Sequence, residues 1–343
     1  MVATKALDFY LPEELNASLP PEKRGLRRDH VRMMVLDRTT GEIKHDRFFH
    51  LANYLQAGDL VILNNSRTIP AVLHAEWRRN TIQLAPKVEV RLARRRGEDT
   101  WDALVVANPV KAGDILQFSP ELAATMIGEK ENSPLKIIQF TKKGPDLFNI
   151  IYALGEPVRY EYIEQPWDLD YYQTVFASHP GSVEMPSAGR AFSWELLFKL
   201  MRKDIQVEYI QLHTGLSYLL DDQWHQTPEE NEEEYQISEQ TMERILQTKA
   251  SGKRVIAVGT TVVRALETAA KNGALSGMTN LYIDQHYPLK MADGIITGLH
   301  EPKASHLDML SAFVSEKHLL QAYDQAIESR YLWHEFGDMN LIL

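Results

Sequence analysis

Residues 252–267 read GKRVIAVGTTVVRALE, and the order of residue types along them decides the fold class. Val255–Val258 is a short apolar run rich in β-branched side chains, the composition of a buried strand. Gly259 ends it. After Thr260 and Thr261, residues Val262, Val263 and Leu266 recur at the spacing of one helix face, so the stretch predicts strand, glycine turn, helix. Thr260 or Thr261 is expected to cap the helix, and the free N–H groups of its first turn suit an anion or a polar ligand group. The same pattern also serves an ordinary α/β connection that binds nothing.

The 343 residues outward from this stretch provide for two domains and a large core. With no cysteine, disulfides, thiolate catalysis and cysteine-based zinc sites are excluded, and a reducing cytoplasm is the expected compartment. The opening MVATKALDFYLPEELN has no basic segment followed by an apolar run, so no signal peptide is expected, and no apolar stretch approaches membrane-spanning length. The histidines show no metal-ligand spacing, so no metal is expected. The net charge of −10 argues against general affinity for nucleic acid, but its distribution is uneven. Lys23–Arg38 and Arg78–Arg96 are basic clusters, while Asp221–Glu239 is acidic without Lys or Arg, so a basic face toward phosphates is one reading and solvated surface charge the other.

The texture changes along the chain. Val31–Leu36 and Leu60–Leu63 read as strands around a helix-like Phe49–Leu55. Between Ala71 and about Phe148 come short alternating segments such as Val88–Leu92, Trp101–Val105, Ile115–Phe118 and Lys136–Phe140. Turns separate them at Arg96–Asp99, Lys111–Asp114 and Lys142–Asp146. From Tyr171 onward helices and strands alternate, among them Trp194–Arg202, Val207–Leu212, Ser238–Lys249, Leu281–Ile283, Ala304–Phe313 and Lys317–Ser329. The expected architecture is a discontinuous α/β domain (residues 1–70 and 152–343) interrupted by a small antiparallel β-barrel-like domain (71–151).

Four loops concentrate polar residues beside glycine or proline. Asn64–Pro70 follows a strand, the favoured ligand position in α/β sheets, and Arg67 there can grip a carboxylate or phosphate. Tyr172–Ala177 and Pro180–Ser193 form proline-bounded turns leading into a helix capped by Ser193. Gln173 and Ser187 offer hydrogen bonds to a purine edge there, and small residues such as Gly189 let a flat ligand approach. Gln211–Leu216 ends a strand in His213, a candidate base. Thr297–Ser305 brings His300, Glu301 and Lys303 before a helix start. Each loop also has a purely structural reading: Asn and Ser holding a turn, a long surface loop, a lone packed histidine, a capped helix.

Taken in order, these pieces resemble the S-adenosylmethionine:tRNA ribosyltransferase-isomerase family of the queuosine pathway. The resemblance spans most of the chain. It is carried by Phe9–Leu15, Gly58–Asn64 with Ser66, Arg67, Ile69 and Pro70, Tyr172–Val175, Gly181–Val183, Pro186, Ala188-Gly189, His213, Gly215, Val255–Glu267, His300, Pro302-Lys303, Ser311–Phe313 and Gly337-Asp338. It implies that the ribosyl carbons of S-adenosylmethionine are transferred to the aminomethyl group of a 7-deazaguanine at the tRNA wobble position and rearranged to epoxyqueuosine, releasing adenine and methionine. S-adenosylmethionine is then a co-substrate, with no further cofactor, and tRNA the partner; a monomer is expected. Such chemistry needs a base for the proton beside the sulfonium, a purine-edge site, an ion-pairing site for the methionine end and a flipped acceptor base. On these grounds His213, His300 and Glu301 are the proton-transfer candidates. Arg67, Gln173, Ser187, Gly189, Thr260, Thr261, Arg264 and Lys303 are the substrate-binding candidates.

The chain also departs from the family pattern. Where the family reads P-T-A-G-L-H-F-T, Pro186–Ser193 carries Arg190 and Ala191. Pro228 and Asn231 stand where histidines are expected in D-H-x-M-H-x-E, although Glu233 is kept. Glu156–Trp167 replaces P-L-P-P-Y-I, and His306 and Asp308 occupy positions that are normally apolar. Two rivals therefore stand beside the family reaction: an enzyme using the same donor on another acceptor, and a non-catalytic nucleotide- or RNA-binding relative.

Overall fold

The computed structural model describes residues 7–107, 109–131, 133–217 and 231–343. Val255–Val258 is fully buried, and it lies between two parallel neighbours, Leu60–Asn64 and Gly294–Gly298. Gln206–Leu212 pairs in parallel with the far side of Leu60–Asn64. These four parallel strands form the middle of a nine-stranded sheet. Antiparallel Glu233–Ile237 and Ser276–Thr279 extend one side; Met339–Ile342, Arg32–Leu36 and Ile43–Arg47 extend the other.

Alternation along the central strands separates two cores. Leu60, Ile62, Val255, Ala257 and Ile295 face one layer, packed with Val262 and Leu266 of helix Thr260–Asn272 and Leu319 and Tyr323 of helix Glu316–Glu328. Val61, Leu63, Ile256, Val258 and Ile296 face the other, against Leu196, Leu197 and Leu200 of helix Trp194–Arg202 and Phe48 and Leu51 of the short 3-10 helix Phe48–Asn53. Burial on both faces is why the strands read as uninterrupted apolar runs.

The expected inserted barrel is present as a closed, six-stranded antiparallel barrel made of Val72–Arg79, Ile82–Arg95, Thr100–Val105, Ile115–Ser119, Leu122–Glu129 and Lys136–Phe140. Trp101, Leu116 and Ile138 fill it. Closure leaves no sheet edge for another chain to pair with.

Several local expectations are corrected. Gly259, at φ +92°, is the N-cap of the helix that follows, and Thr260 and Thr261 lie inside its first turn, so neither threonine caps it. Leu281–Ile283 forms neither strand nor helix; the edge strand is Ser276–Thr279, whose Ser and Gly residues hide it from a hydropathy pattern. The turn expected at Lys142–Asp146 instead opens helix Gly144–Leu154, with Pro145 in the first turn where its missing N–H costs nothing. Leu147 and Ile151 of that helix pack into the barrel core. The expected Ser193 cap is present: its hydroxyl accepts from Leu196 N at 3.1 Å.

Candidate active site

The four polar loops singled out in the sequence divide between the sheet top and a ribbon beside it. Asn65-Ser66, His213, Gly259-Thr260 and the run up to His300 follow four adjacent parallel strands, Leu60–Asn64, Gln206–Leu212, Val255–Val258 and Gly294–Gly298. Consecutive segments therefore meet at one edge of the sheet, the place where open α/β sheets bind ligands. The Pro180–Ser193 loop reaches the same edge because His179–Ser182 pairs in parallel with Ser66–Thr68.

His213 sits at the first of two polar clusters. Ser66 Oγ lies 2.7 Å from His213 Nδ1, and the Gln211 amide donates to Nε2 at 2.7 Å. With that assignment Nδ1 carries the proton and donates to Ser66, which passes a hydrogen bond to Ser182 Oγ at 2.6 Å. Asn64 supports the chain from below, donating to Leu212 O at 2.8 Å and accepting from Ser66 N at 3.1 Å. Burial pushes the His213 pKa down to about 4, with the nearby Arg95 charge helping, so the ring is neutral at pH 7. A side chain at Gly181 would place its Cβ 2.5 Å from His213 Nδ1, so the glycine makes room for the ring.

A second cluster gathers around His300. Its Nε2 meets Thr297 Oγ1 at 2.8 Å, and its ring stacks on His306 with centroids 4.6 Å apart and planes 6° from parallel. Burial holds the His300 pKa well below its ordinary value and brings that of His306 to about 4. His306 is nonetheless open to solvent. Glu301 stays 59% exposed at the rim, 3.3 Å from His334 Nδ1, and His334 stacks on Tyr162 at 4.4 Å. Ser187, Arg190, Gly298, His334 and Glu335 line one cavity beside this cluster. Gly259 brings the helix start against that turn: a Cβ there would lie 3.2 Å from the Ala188 methyl group. Gly189, buried in the same turn, backs onto Phe176.

Other candidates have structural partners. Both ends of the Gln173 side-chain amide pair with the Thr68 backbone, accepting from N at 3.1 Å and donating to O at 2.7 Å, so it works as a strand-like staple. Arg264 is ion-paired with Glu233 and donates to Asn231 O at 3.1 Å and Thr279 O at 3.2 Å. Lys303 is 66% exposed and pairs with Asp8 at 3.1 Å. Arg67 is exposed, its guanidinium 5.2 Å from the centre of the Tyr152 ring. Pro228 lies outside the described residues, and Ala191 is buried in the core beneath the cavity.

Sequence reading missed Glu184 and Glu335. Tyr160 donates to Glu184 Oε2 at 2.9 Å, and Ser217 holds it through its N–H at 2.7 Å and its hydroxyl at 2.9 Å. Burial and the Glu184 charge raise the Glu335 pKa to about 8. Glu184 lies in the Pro180–Ser193 loop but without a pattern that marks it, Glu335 is a single acid near the C-terminus, and only tertiary packing brings them together.

The basic clusters change meaning in the fold. Arg78, Arg79, Arg91, Arg94 and Arg96 each pair with an acid of this chain, and buried Asp102 holds both Arg94 and Arg96. In Lys23–Arg38, Arg27 pairs with Asp29 and Arg28 with Glu22. The barrel arginines therefore present less free positive charge than their count suggests.

Fold and site together define an α/β protein that gathers polar loops over the carboxyl ends of parallel strands beside a closed barrel. The chain belongs to the queuosine biosynthesis protein family, whose model matches residues 4–342. It is 37% identical over 353 aligned residues to the S-adenosylmethionine:tRNA ribosyltransferase-isomerase of Carboxydothermus hydrogenoformans, covering 99% of both chains. It also resembles a crystal structure of the S-adenosylmethionine tRNA ribosyltransferase of Thermotoga maritima, with a TM-score of 0.56 and 31% identity over 98% of this chain and 99% of the other.

Proposed function

We propose that this protein is an S-adenosylmethionine:tRNA ribosyltransferase-isomerase acting in the cytoplasm. It transfers the ribosyl group of S-adenosylmethionine to 7-aminomethyl-7-deazaguanine at the tRNA wobble position and rearranges it to epoxyqueuosine, releasing adenine and methionine. The observation that carries this reading is the convergence of Ser66, His213, Thr260 and His300 segments at the carboxyl ends of four neighbouring parallel strands, in a chain whose relative of that name aligns end to end with it.

The positive sulfur makes the adjacent carbon–hydrogen bond acidic, and a histidine that removes this proton must be neutral beforehand. His213 and His300 are in that state at pH 7, and we assign proton transfer to them, with Glu301 at the rim orienting His334. Ser187 and Gly189 with Thr260 and Thr261 form the bed for the donor, where the first-turn N–H groups favour electron-rich atoms. Arg67 and Lys303 are assigned to charged groups of the substrates outside the cleft. Gln173 and Arg264 act by holding the ribbon and the Glu233 strand in place. S-adenosylmethionine serves as co-substrate and no further cofactor takes part.

Ala191 and Arg190 in place of the family's histidine and leucine, with the paired barrel arginines, favour one second reading, the same donor on a different acceptor. The test is adenine release from S-adenosylmethionine with and without tRNA carrying the aminomethyl base. The proposal requires release that depends on that tRNA; release driven by another amine supports the second reading.

A further inference from the structure

Helix Trp194–Arg202 packs into the core through Leu196, Leu197 and Leu200. Its other face carries Trp194, Phe198 and Met201 at the spacing of one helical ridge, and these side chains are 47%, 49% and 46% exposed. The Trp194 and Phe198 rings stack, with centroids 6.1 Å apart and planes 28° from parallel. The helix is anchored without them, and an exposed row of large apolar side chains marks a contact surface.

Cations surround the ridge. Arg202 is exposed, one turn after Phe198. Lys199 Nζ donates to Phe49 O at 2.8 Å and lies 5.9 Å from the centre of the Phe49 ring, which packs against His30 at 4.7 Å. Lys203 Nζ donates to Ala52 O at 3.0 Å, and Arg47 Nη1 to His30 O at 2.9 Å. Lys199, Lys203 and Arg47 are thus anchored on backbone carbonyls, with no carboxylate at ion-pair distance among the described residues. They keep their full charge, unlike the barrel arginines. Of the acids nearby, Glu195 pairs with Arg27 at 3.2 Å and Asp46 with His50 at 2.7 Å, while Asp204 lies past the helix end. The helix starts at Ser193, where the Pro180–Ser193 loop of the candidate site ends, so the patch continues from that site.

We propose that this face binds unpaired RNA, with bases stacking on Trp194 and Phe198 and phosphates meeting Arg47, Arg202 and Lys203. Exposed rings interleaved with unneutralised cations match splayed bases and their backbone, whereas paired RNA hides its base faces. Under the ribosyl-transfer reading the RNA is the tRNA loop that carries the wobble base, so that identification rests on that reading. A second copy of this chain fits the face poorly. Half of three large side chains amounts to roughly 300 Å², well short of the ~800 Å² per partner of a stable interface. A two-fold contact would also set these cations against their own copies.

The test is fluorescence anisotropy of the full chain with labelled tRNA, an unstructured single-stranded RNA and a fully paired RNA duplex. Trp194→Ala and Phe198→Ala each weaken binding of tRNA and of the single strand by about tenfold and leave duplex binding unchanged. Arg202→Gln lowers the slope of log Kd on log salt by about one. All three side chains are exposed, so melting temperatures stay unchanged and lost affinity reports the surface, not the fold. Single-strand binding that depends on Trp194, without adenine release from S-adenosylmethionine and tRNA, keeps the stacking face and rejects the ribosyl-transfer reading. Unchanged tRNA and single-strand affinity in both aromatic variants, or an equal loss for the duplex, overturns the proposal; tRNA-dependent adenine release by the unaltered protein then keeps the reaction. A dimer in sedimentation that Trp194→Ala dissociates without loss of RNA affinity assigns the ridge to a second copy and also overturns the proposal.

Discussion

His213 has a hydrogen-bond partner on each ring nitrogen, Ser66 on one and Gln211 on the other. Burial holds it neutral down to about pH 4. If it transfers the proton, His213→Ala lowers turnover by about 10²–10⁴-fold with a small change in melting temperature. Gly181→Ala, whose methyl group would displace the ring, reproduces the loss without touching the imidazole. Because the His213 pKa is about 4, this group imposes no fall in rate between pH 8 and pH 5; a loss of rate with a midpoint near 6.5 that disappears in His213→Ala contradicts the assignment. Glu335 makes the opposite kind of statement. Its folded pKa of about 8 lies above the ordinary carboxyl value of 4.5, so the folded state binds a proton that the unfolded state has released. The stability it contributes is present below pH 4.5 and is lost as pH rises through 8. Glu335→Gln therefore melts higher than the unaltered protein at pH 8.5, by on the order of a few degrees, and about equally at pH 4.5. Thermal melts across this range check the sign.

Among the elements, Glu267 closes the stretch 252–267. It is fully buried on helix Thr260–Asn272, and its carboxylate accepts from Lys290 N at 3.0 Å, Met291 N at 2.8 Å and Ala292 N at 3.2 Å. It thereby fixes the loop that delivers the Gly294–Gly298 strand. Glu267→Ala leaves those donors unpaired and costs on the order of 3 kcal/mol, read as a lower urea midpoint at unchanged slope. Gly259→Ala forces a left-handed φ on a residue with a Cβ and pushes on Ala188, costing about 1–3 kcal/mol and weakening donor affinity by moving the Ser187 turn. Elements whose cause is local were readable from the sequence: the central strands as β-branched runs, the Ser193 cap, and the barrel as alternating segments between turns. The Ser276–Thr279 strand was not, because pairing with Glu233–Ile237 rather than its own residue types makes it a strand. His213 was found because it follows a strand directly, and His300 because it stands with Glu301 and Lys303 before a helix start. Glu184 and Glu335, 151 residues apart in the sequence, share a site only through the sheet and the ribbon over it. Gln173 was legible as a polar residue in the right loop and Arg264 as one on the helix after Gly259, but their backbone and ion-pair partners lie on other elements.

For the whole molecule, the balance between barrel and sheet concerns how tRNA is held. The barrel arginines are paired with Glu76, Glu89, Asp102 and Asp114, so few of them are free to displace counterions. The dependence of tRNA binding on salt is accordingly shallow, with log Kd against log salt rising by about 3 or less rather than the larger slope that six to ten phosphate contacts give. Fluorescence anisotropy from 50 to 300 mM salt measures it, and a slope near that of a protein with many phosphate contacts shows that these pairs open on binding. The proposed reaction is chemical, and the mass of the modified nucleoside reads it out. tRNA bearing the 7-aminomethyl-7-deazaguanine base is incubated with the protein and S-adenosylmethionine, digested, and weighed by mass spectrometry while free adenine is quantified. Ribosyl transfer gives the epoxyqueuosine mass with one adenine released per base converted. Donor binding with neither adenine nor a mass gain contradicts it.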